Sequence, residues 1–133
     1  MIVLDASAAV DLLLDLRPRA DWVRERLPRG EEMHAPHLID VEFGSAVRRR
    51  AQAGEIDDER GTSVLALLRD LPLVRYPHTS LLPRMWEHRH RLTFADAAYV
   101  ALAEALDATL VTTDERLGRA DLGHRVAEFP SPL

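Results

Sequence analysis

A chain of 133 residues, 47% hydrophobic and 29% charged, is long enough for one hydrophobic core and too short for two. It contains no cysteine, which excludes a disulfide framework, a thiolate metal site and a thiol nucleophile. The formal net charge of -5 argues against a general nucleic-acid coat but leaves room for a nucleic-acid enzyme, because carboxylates gathered around cations add to the negative count. All 17 basic residues are Arg; a GC-rich coding sequence is the simplest cause, and the composition also suits bidentate recognition of phosphate. The opening stretch MIVLDASAAVDLLLD has no basic region and Asp5 breaks its apolar run, so no secretory leader is expected. No apolar segment approaches membrane-spanning length, and the expected location is cytoplasmic.

In chain order, MIVLD reads as a short buried strand followed at once by a helix over ASAAVDLLLD. PRADWVRERLP is a charged surface helix with Pro18 in its first turn. EMHAP is a second strand, weak by composition, and HLIDVEFGSAVRRRAQAG is a helix ended by Gly54. DDERGTSVLALLRDLP is a further helix, LVRY a third strand stopped by Pro77, and SLLPRMWEHRH a short helix. TFADAAYVALAEALD, rich in Ala and Leu, is the strongest helix of the chain. TLVTT is a fourth strand, DERLGRA a short helix and HRVAEF a last strand before a Pro-containing tail. No two strands are joined by a hairpin-length turn. The pattern predicts a single-domain α/β sandwich over residues 1–133, with a mostly parallel sheet of four to five strands flanked by helices.

In an open parallel sheet, ligands bind beyond the carboxyl ends of the strands. Asp5 stands at the end of the first strand and Asp114 just past the fourth, so both belong to one rim. Glu42 lies in the helix after the second strand between Val41 and Phe43, where partial burial is expected. Asp96 lies in the first turn of the Ala-rich helix, three residues after Thr93. Each has a plainer reading: Asp5 and Asp114 as helix N-caps, Asp96 as the acidic member of a capping box with Thr93. A buried Glu42 is harder to account for, since buried charges need partners.

Carboxylates crowded on one rim repel and raise one another's pKa values unless a cation neutralises them. Oxygen donors without Cys or His point to Mg²⁺ or Mn²⁺, and one or two such ions can activate water and stabilise a phosphate transition state. Ser7, Thr112 and Thr113 sit near the same strand ends, with hydroxyls able to orient a carboxylate or to serve loop and cap duties.

The stretches VLDASAAV, LIDVEFGSAV and LTFADAAYVALAEALDATLVTTDERL together resemble the PIN domain, specifically the VapC-type toxin ribonucleases of bacterial toxin–antitoxin pairs. The resemblance runs from the first strand to the last. It implies a parallel sheet flanked by helices and a Mg²⁺- or Mn²⁺-dependent endoribonuclease. It also implies a homodimer bound by a VapB-like antitoxin. The family's acidic set falls on Asp5, Glu42, Asp96 and Asp114, as metal ligands and catalytic residues. Its supporting hydroxyls fall on Ser7 and Thr112.

Other features allow two readings each. His88 and His90, two apart, cannot share a zinc from one helix face; they are expected at a solvated helix end, with an RNA contact as the alternative. Arg48, Arg49 and Arg50 lie near a helix C-terminus, where cations are favourable, and are candidate RNA or partner contacts. Trp22 and Trp86 stand on charged helices, as core-edge packing or as a dimer or antitoxin contact, and Met85 is expected with them on an association surface. Rival readings are a metal-dependent phosphatase and a non-catalytic binding or scaffold protein of the same fold. A phosphoacceptor receiver domain is disfavoured because such domains rely on a Lys that this chain lacks.

Overall fold

The computed structural model describes residues 1–27, 29–30, 32–119 and 126–128. Its elements are β1 (Ile2–Leu4), α1 (Ala6–Leu13), α2 (Arg19–Arg26), β2 (Met33–Pro36), α3 (Leu38–Gln52), α4 (Asp58–Asp70) and β3 (Leu73–Tyr76). There follow a 3-10 turn at Thr79–Leu81, α5 (Leu82–Glu87), α6 (Phe94–Leu106), β4 (Thr109–Thr112), α7 (Glu115–Arg119) and β5 (Val126–Glu128). The expected α/β sandwich is the fold. Its sheet has five strands in the order β3-β2-β1-β4-β5, and all four pairings are parallel. Residues 124, 125 and 129 of the expected last strand, and Ala120 of the expected last helix, lie outside the described residues.

The strand order decides where a site can be. The chain builds outward from β1 through β2 to β3, then returns across the sheet to add β4 on the other side of β1. Right-handed crossovers therefore put the helices before β3 on one face and those after it on the other. The packing agrees: α1, α3 and α4 contact one another, while α6 lies on β1, β2 and β4 and is backed by α5. The reversal opens a crevice at the carboxyl ends of β1 and β4, the topological switch point.

The core follows from short apolar strands and one apolar face per helix. Val3 and Leu4 of β1 and Leu110 and Val111 of β4 are fully or almost fully buried, with Leu4 in register with Val111. In α3 the buried residues are Ile39, Phe43 and Val47, spaced by four. That phase turns Val41 outward, at 68% exposed, and leaves Glu42 on the edge of the buried stripe. α6 is buried continuously from Ala97 to Ala103, because it sits between the sheet and α5. Its alanines permit that close approach, forming with Met85 a small cluster of their own.

Two surface expectations fail here. His88 is completely buried, with its Nε2 2.6 Å from Glu104 Oε1. It can touch neither RNA nor a partner, because α5 ends at Glu87 and the turn that follows folds His88 onto α6. His90 is exposed, as expected. Met85 also belongs to the interior, at 3% exposed, whereas Trp22, at 9%, takes the core-edge packing that was one of its two readings. The Arg26 guanidinium covers the Trp22 ring at 3.8 Å. Of the three residues, only Trp86 is on the surface, at 59%. Glu104 is the hub below α5, paired with both His88 and Arg84. Burial pushes its carboxyl up, but the hydrogen bonds from Arg84 and His88 outweigh this and hold it below the ordinary value.

Glu104→Ala should therefore lower the free energy of unfolding in urea by about 1–3 kcal/mol, since it strips the buried His88 of its partner. Arg84→Ala removes a half-exposed side chain and should cost less than about 1 kcal/mol. Equal losses in the two variants would show that His88 gains nothing from Glu104.

Candidate active site

Helices that connect parallel strands begin at the carboxyl rim, so residues in their early turns face the crevice. Asp5 follows β1 directly, its backbone N–H donating to the Val111 carbonyl at 3.2 Å. Its side chain is only 4% exposed. Oδ1 accepts from the Ala8 N–H at 2.9 Å, capping α1, and from the Ser7 hydroxyl at 2.7 Å. Burial pushes the Asp5 carboxyl up to about 6 against those hydrogen bonds and one with Thr112, and the charge of Asp96 adds to the rise.

Thr112 ends β4, and its Oγ1 accepts from the Asp114 N–H at 2.9 Å. The Ser7 and Thr112 hydroxyl oxygens lie 3.3 Å apart, and the Thr113 N–H donates to Ser7 Oγ at 3.2 Å. These hydroxyls stitch the end of β4 to the start of α1. Asp114 then accepts the Arg116 N–H at 2.9 Å and pairs with its guanidinium at 3.1 Å. Burial acts to raise its carboxyl, but the bonds from Arg116 prevail and hold it low. The capping interaction expected as the plainer reading of Asp114 is real, and it coexists with a place in the crevice.

Asp96 stands in the first turn of α6, and its N–H donates to the N-cap Thr93 Oγ1 at 3.2 Å. Burial raises its carboxyl against hydrogen bonding from Thr93, and the nearby Asp114 charge raises it further. Glu42 is half-buried and accepts the Tyr99 hydroxyl at 2.6 Å. Burial, together with the accepting Glu42 carboxylate, pushes the Tyr99 ionisation far up, so the phenol remains a donor. Asp5, Glu42, Asp96 and Asp114, with Ser7 and Tyr99, line one cavity of about 730 Å³. Arg49 and Arg50 line its wall, whereas Arg48, His88 and His90 do not.

The residues suit a hard divalent cation in donor type and in charge. Among the described residues, no Arg or His lies within ion-pair distance of Asp5, Glu42 or Asp96, and two of the acids raise their neighbours' pKa values. The Arg116 charge offsets this in part for Asp96, and carboxylates raised by burial and by one another are what a bound cation relieves. No three His, Cys, Asp or Glu side chains among the described residues form a cluster spaced to hold an ion as they stand. The acids share the cavity without closing on a common point.

Sequence reasoning missed Tyr99, Asp11, Arg19 and Arg116, which also line the cavity. A signal existed for Tyr99, which is three residues after Asp96 and so on the same helix face. Asp11 carried none, because an acid in the middle of α1 reads as solvated.

Residues 2–122 match the PIN domain model. Ribonuclease VapC9 of Mycobacterium tuberculosis is 45% identical over 117 residues, 88% of each chain. Among solved structures, PAE2754 from Pyrobaculum aerophilum aligns with a TM-score of 0.70 at 27% identity, over 94% of this chain and 87% of its own. VapBC2 from Rickettsia felis, solved bound to a DNA fragment from its promoter, aligns over 98% of this chain and 100% of its own. Its TM-score is 0.70 at 17% identity, a likeness of fold alone. The chain belongs to the PIN domain family and, within it, to the VapC-type ribonucleases, which are metal-dependent enzymes. Among the described residues no helix is long and apolar enough to cross a membrane.

The raised Asp5 carboxyl sets a pH dependence for the metal-free protein. Between its ordinary value of 3.8 and about 6 the folded state holds this proton more tightly than the unfolded state. The contribution to stability is thus fully present below pH 4 and lost as pH rises through 6. Asn keeps the cap and removes the buried charge. Asp5→Asn should therefore be stabilising in thermal unfolding at pH 7.5, by up to about 3 kcal/mol. The gain should vanish near pH 4, and a gain independent of pH would contradict this origin.

Proposed function

We propose that the cavity bounded by Asp5, Glu42, Asp96 and Asp114 is the active site of an endoribonuclease that hydrolyses RNA phosphodiester bonds with Mg²⁺ or Mn²⁺. In this reading the protein is the cytoplasmic toxin of a toxin–antitoxin pair. The observation that carries it is the meeting of four carboxylates from both sides of the sheet at the switch-point cavity. A divalent ion bound there would supply Lewis-acid stabilisation of the phosphate and a more acidic attacking water.

The chain's own residues would hold and aim the donors. Ser7 and the Ala8 N–H fix the Asp5 carboxylate, and Tyr99 fixes Glu42 from the opposite helical layer. Thr112 holds the backbone of Asp114. Arg49 and Arg50, on the wall of the same cavity, are in position to receive phosphates flanking the bond to be cut. Arg48 and His90, exposed outside it, are candidate contacts for a longer stretch of RNA or a partner. A metal-dependent phosphatase would need the same acids. The open crevice with cationic walls supports a polymer substrate over a monoester.

A VapB-like antitoxin is the expected partner, and a homodimer the expected assembly. Leu82 and Trp86, one turn apart on α5, are 40% and 59% exposed and offer an apolar surface for such association.

Asp114→Ser separates capping from chemistry, because Ser is a good N-cap. The variant should fold with near-parental stability and lose at least about tenfold in RNA cleavage. Parental cleavage by the folded variant across a Mg²⁺ titration would remove Asp114 from the active site. Light scattering at micromolar concentration should give a dimer, and a monomer both alone and with the antitoxin would refute the assembly.

A further inference from the structure

Among the described residues two carboxylates are buried, Asp5 and Asp11, and the proposed chemistry uses only the first. Asp11 lies inside α1, at 9% exposed, where an acid gains nothing from capping. Burying it carries a cost that a partner must offset. That partner is Thr113, itself 8% exposed, whose Oγ1 donates to Asp11 Oδ2 at 2.6 Å across 102 residues of sequence. Arg19 and Arg50 act on Asp11 electrostatically in favour of its ionised form, against the rise that burial causes.

Thr113 is the link between the end of β4 and Asp114. Two other bonds in this segment come from backbone N–H groups, Thr113 N–H to Ser7 Oγ and Asp114 N–H to Thr112 Oγ1. The Ser7 and Thr112 hydroxyls lie 3.3 Å apart, and Asp114 itself accepts from the Arg116 N–H and guanidinium. The Ser7 contacts hold the end of β4 near the start of α1. The Thr113 side-chain bond adds a second anchor, to a buried position in the middle of α1 and from the residue next to Asp114, and so restrains the direction in which Asp114 leaves the strand end.

We propose that the Asp11–Thr113 hydrogen bond is a brace that aims the Asp114 carboxylate into the cavity, making Asp11 and Thr113 positioning residues for divalent-cation binding. This rests on the reading of the cavity as a cation site. Partners that orient metal ligands commonly contribute about 10–100-fold to affinity. A purely structural bond would instead change stability and leave metal affinity alone.

The test is Mn²⁺ affinity by calorimetry, with folding checked by thermal unfolding. Thr113→Val should weaken Mn²⁺ binding about tenfold, while Thr113→Ser, which keeps the hydroxyl, should stay within about twofold of the parent. In an Asp114→Asn background Thr113→Val should cause no further loss, because the group it aims has gone. Should Thr113→Val fail to fold, the pair Asp11→Leu with Thr113→Val leaves no buried donor or acceptor unmet and replaces it in the same titrations. Parental affinity in the Val variant, or equal loss in the Ser variant, would overturn the brace. So would an undiminished loss in the Asp114→Asn background. Those outcomes leave the cation reading intact provided Asp114→Asn alone weakens binding. A parent protein that binds no Mn²⁺ would instead overturn the cation reading and the brace with it.

Discussion

Asp5 places a carboxylate at the end of the central strand, almost without access to water, and no cationic side chain among the described residues lies within ion-pair distance of it. An acid so placed needs hydrogen-bond donors, because an unpaired buried charge is costly. The donors are small hydroxyls and a helix N-terminus: Ser7, Thr112 and the Ala8 N–H. Much of the local sequence answers to that need. Ser7 serves Asp5, lies against the Thr112 hydroxyl and accepts from the Thr113 backbone. The strands β1 and β4 are thereby held together by side chains just where their ladder ends.

The parallel sheet supplies the second half of the arrangement. Because the chain reverses direction across the sheet between β3 and β4, its helical layers are separated by the strands everywhere except at the rims. The Tyr99–Glu42 bond is where they meet at the carboxyl rim, joining α6 to α3. One face contributes Glu42 and the arginine wall, the other Asp96, and the strand ends Asp5 and Asp114. One cavity is thus lined both by these acids and by Arg49 and Arg50. Arg116 is different in kind: it pairs with Asp114 and lowers its pKa, and its charge acts in the same direction on Asp96.

How much of this could be read from the chain varies with the range of the interaction. The strands, the Ala-rich helix, the α/β class and the rim positions of Asp5 and Asp114 follow from local patterns, namely β-branched runs ending in an acid and helices beginning at caps. Asp96 with Thr93 is likewise a three-residue signal. The motifs VLDASAAV, LIDVEFGSAV and LTFADAAYVALAEALDATLVTTDERL were sufficient for the family, since their order and spacing survive without coordinates.

Other features were set by packing between distant segments, to which residue type and spacing are blind. His88 looked like part of a solvated HRHR run, yet the turn after α5 buries it against Glu104, 16 residues on. Met85 reads as a surface apolar residue on a charged helix, but the phase of that helix turns it inward. Asp11 and Thr113 are 102 residues apart and Glu42 and Tyr99 are 57 apart, so their pairing depends on which strands become neighbours. The sequence by itself determined the elements, the acids at their ends and the family. Tertiary structure alone decided which side of β1 receives β4, and therefore which hydroxyls and phenol come to hold those acids, because hydrogen bonds between remote side chains exist only once the sheet order has brought them within 3 Å or so.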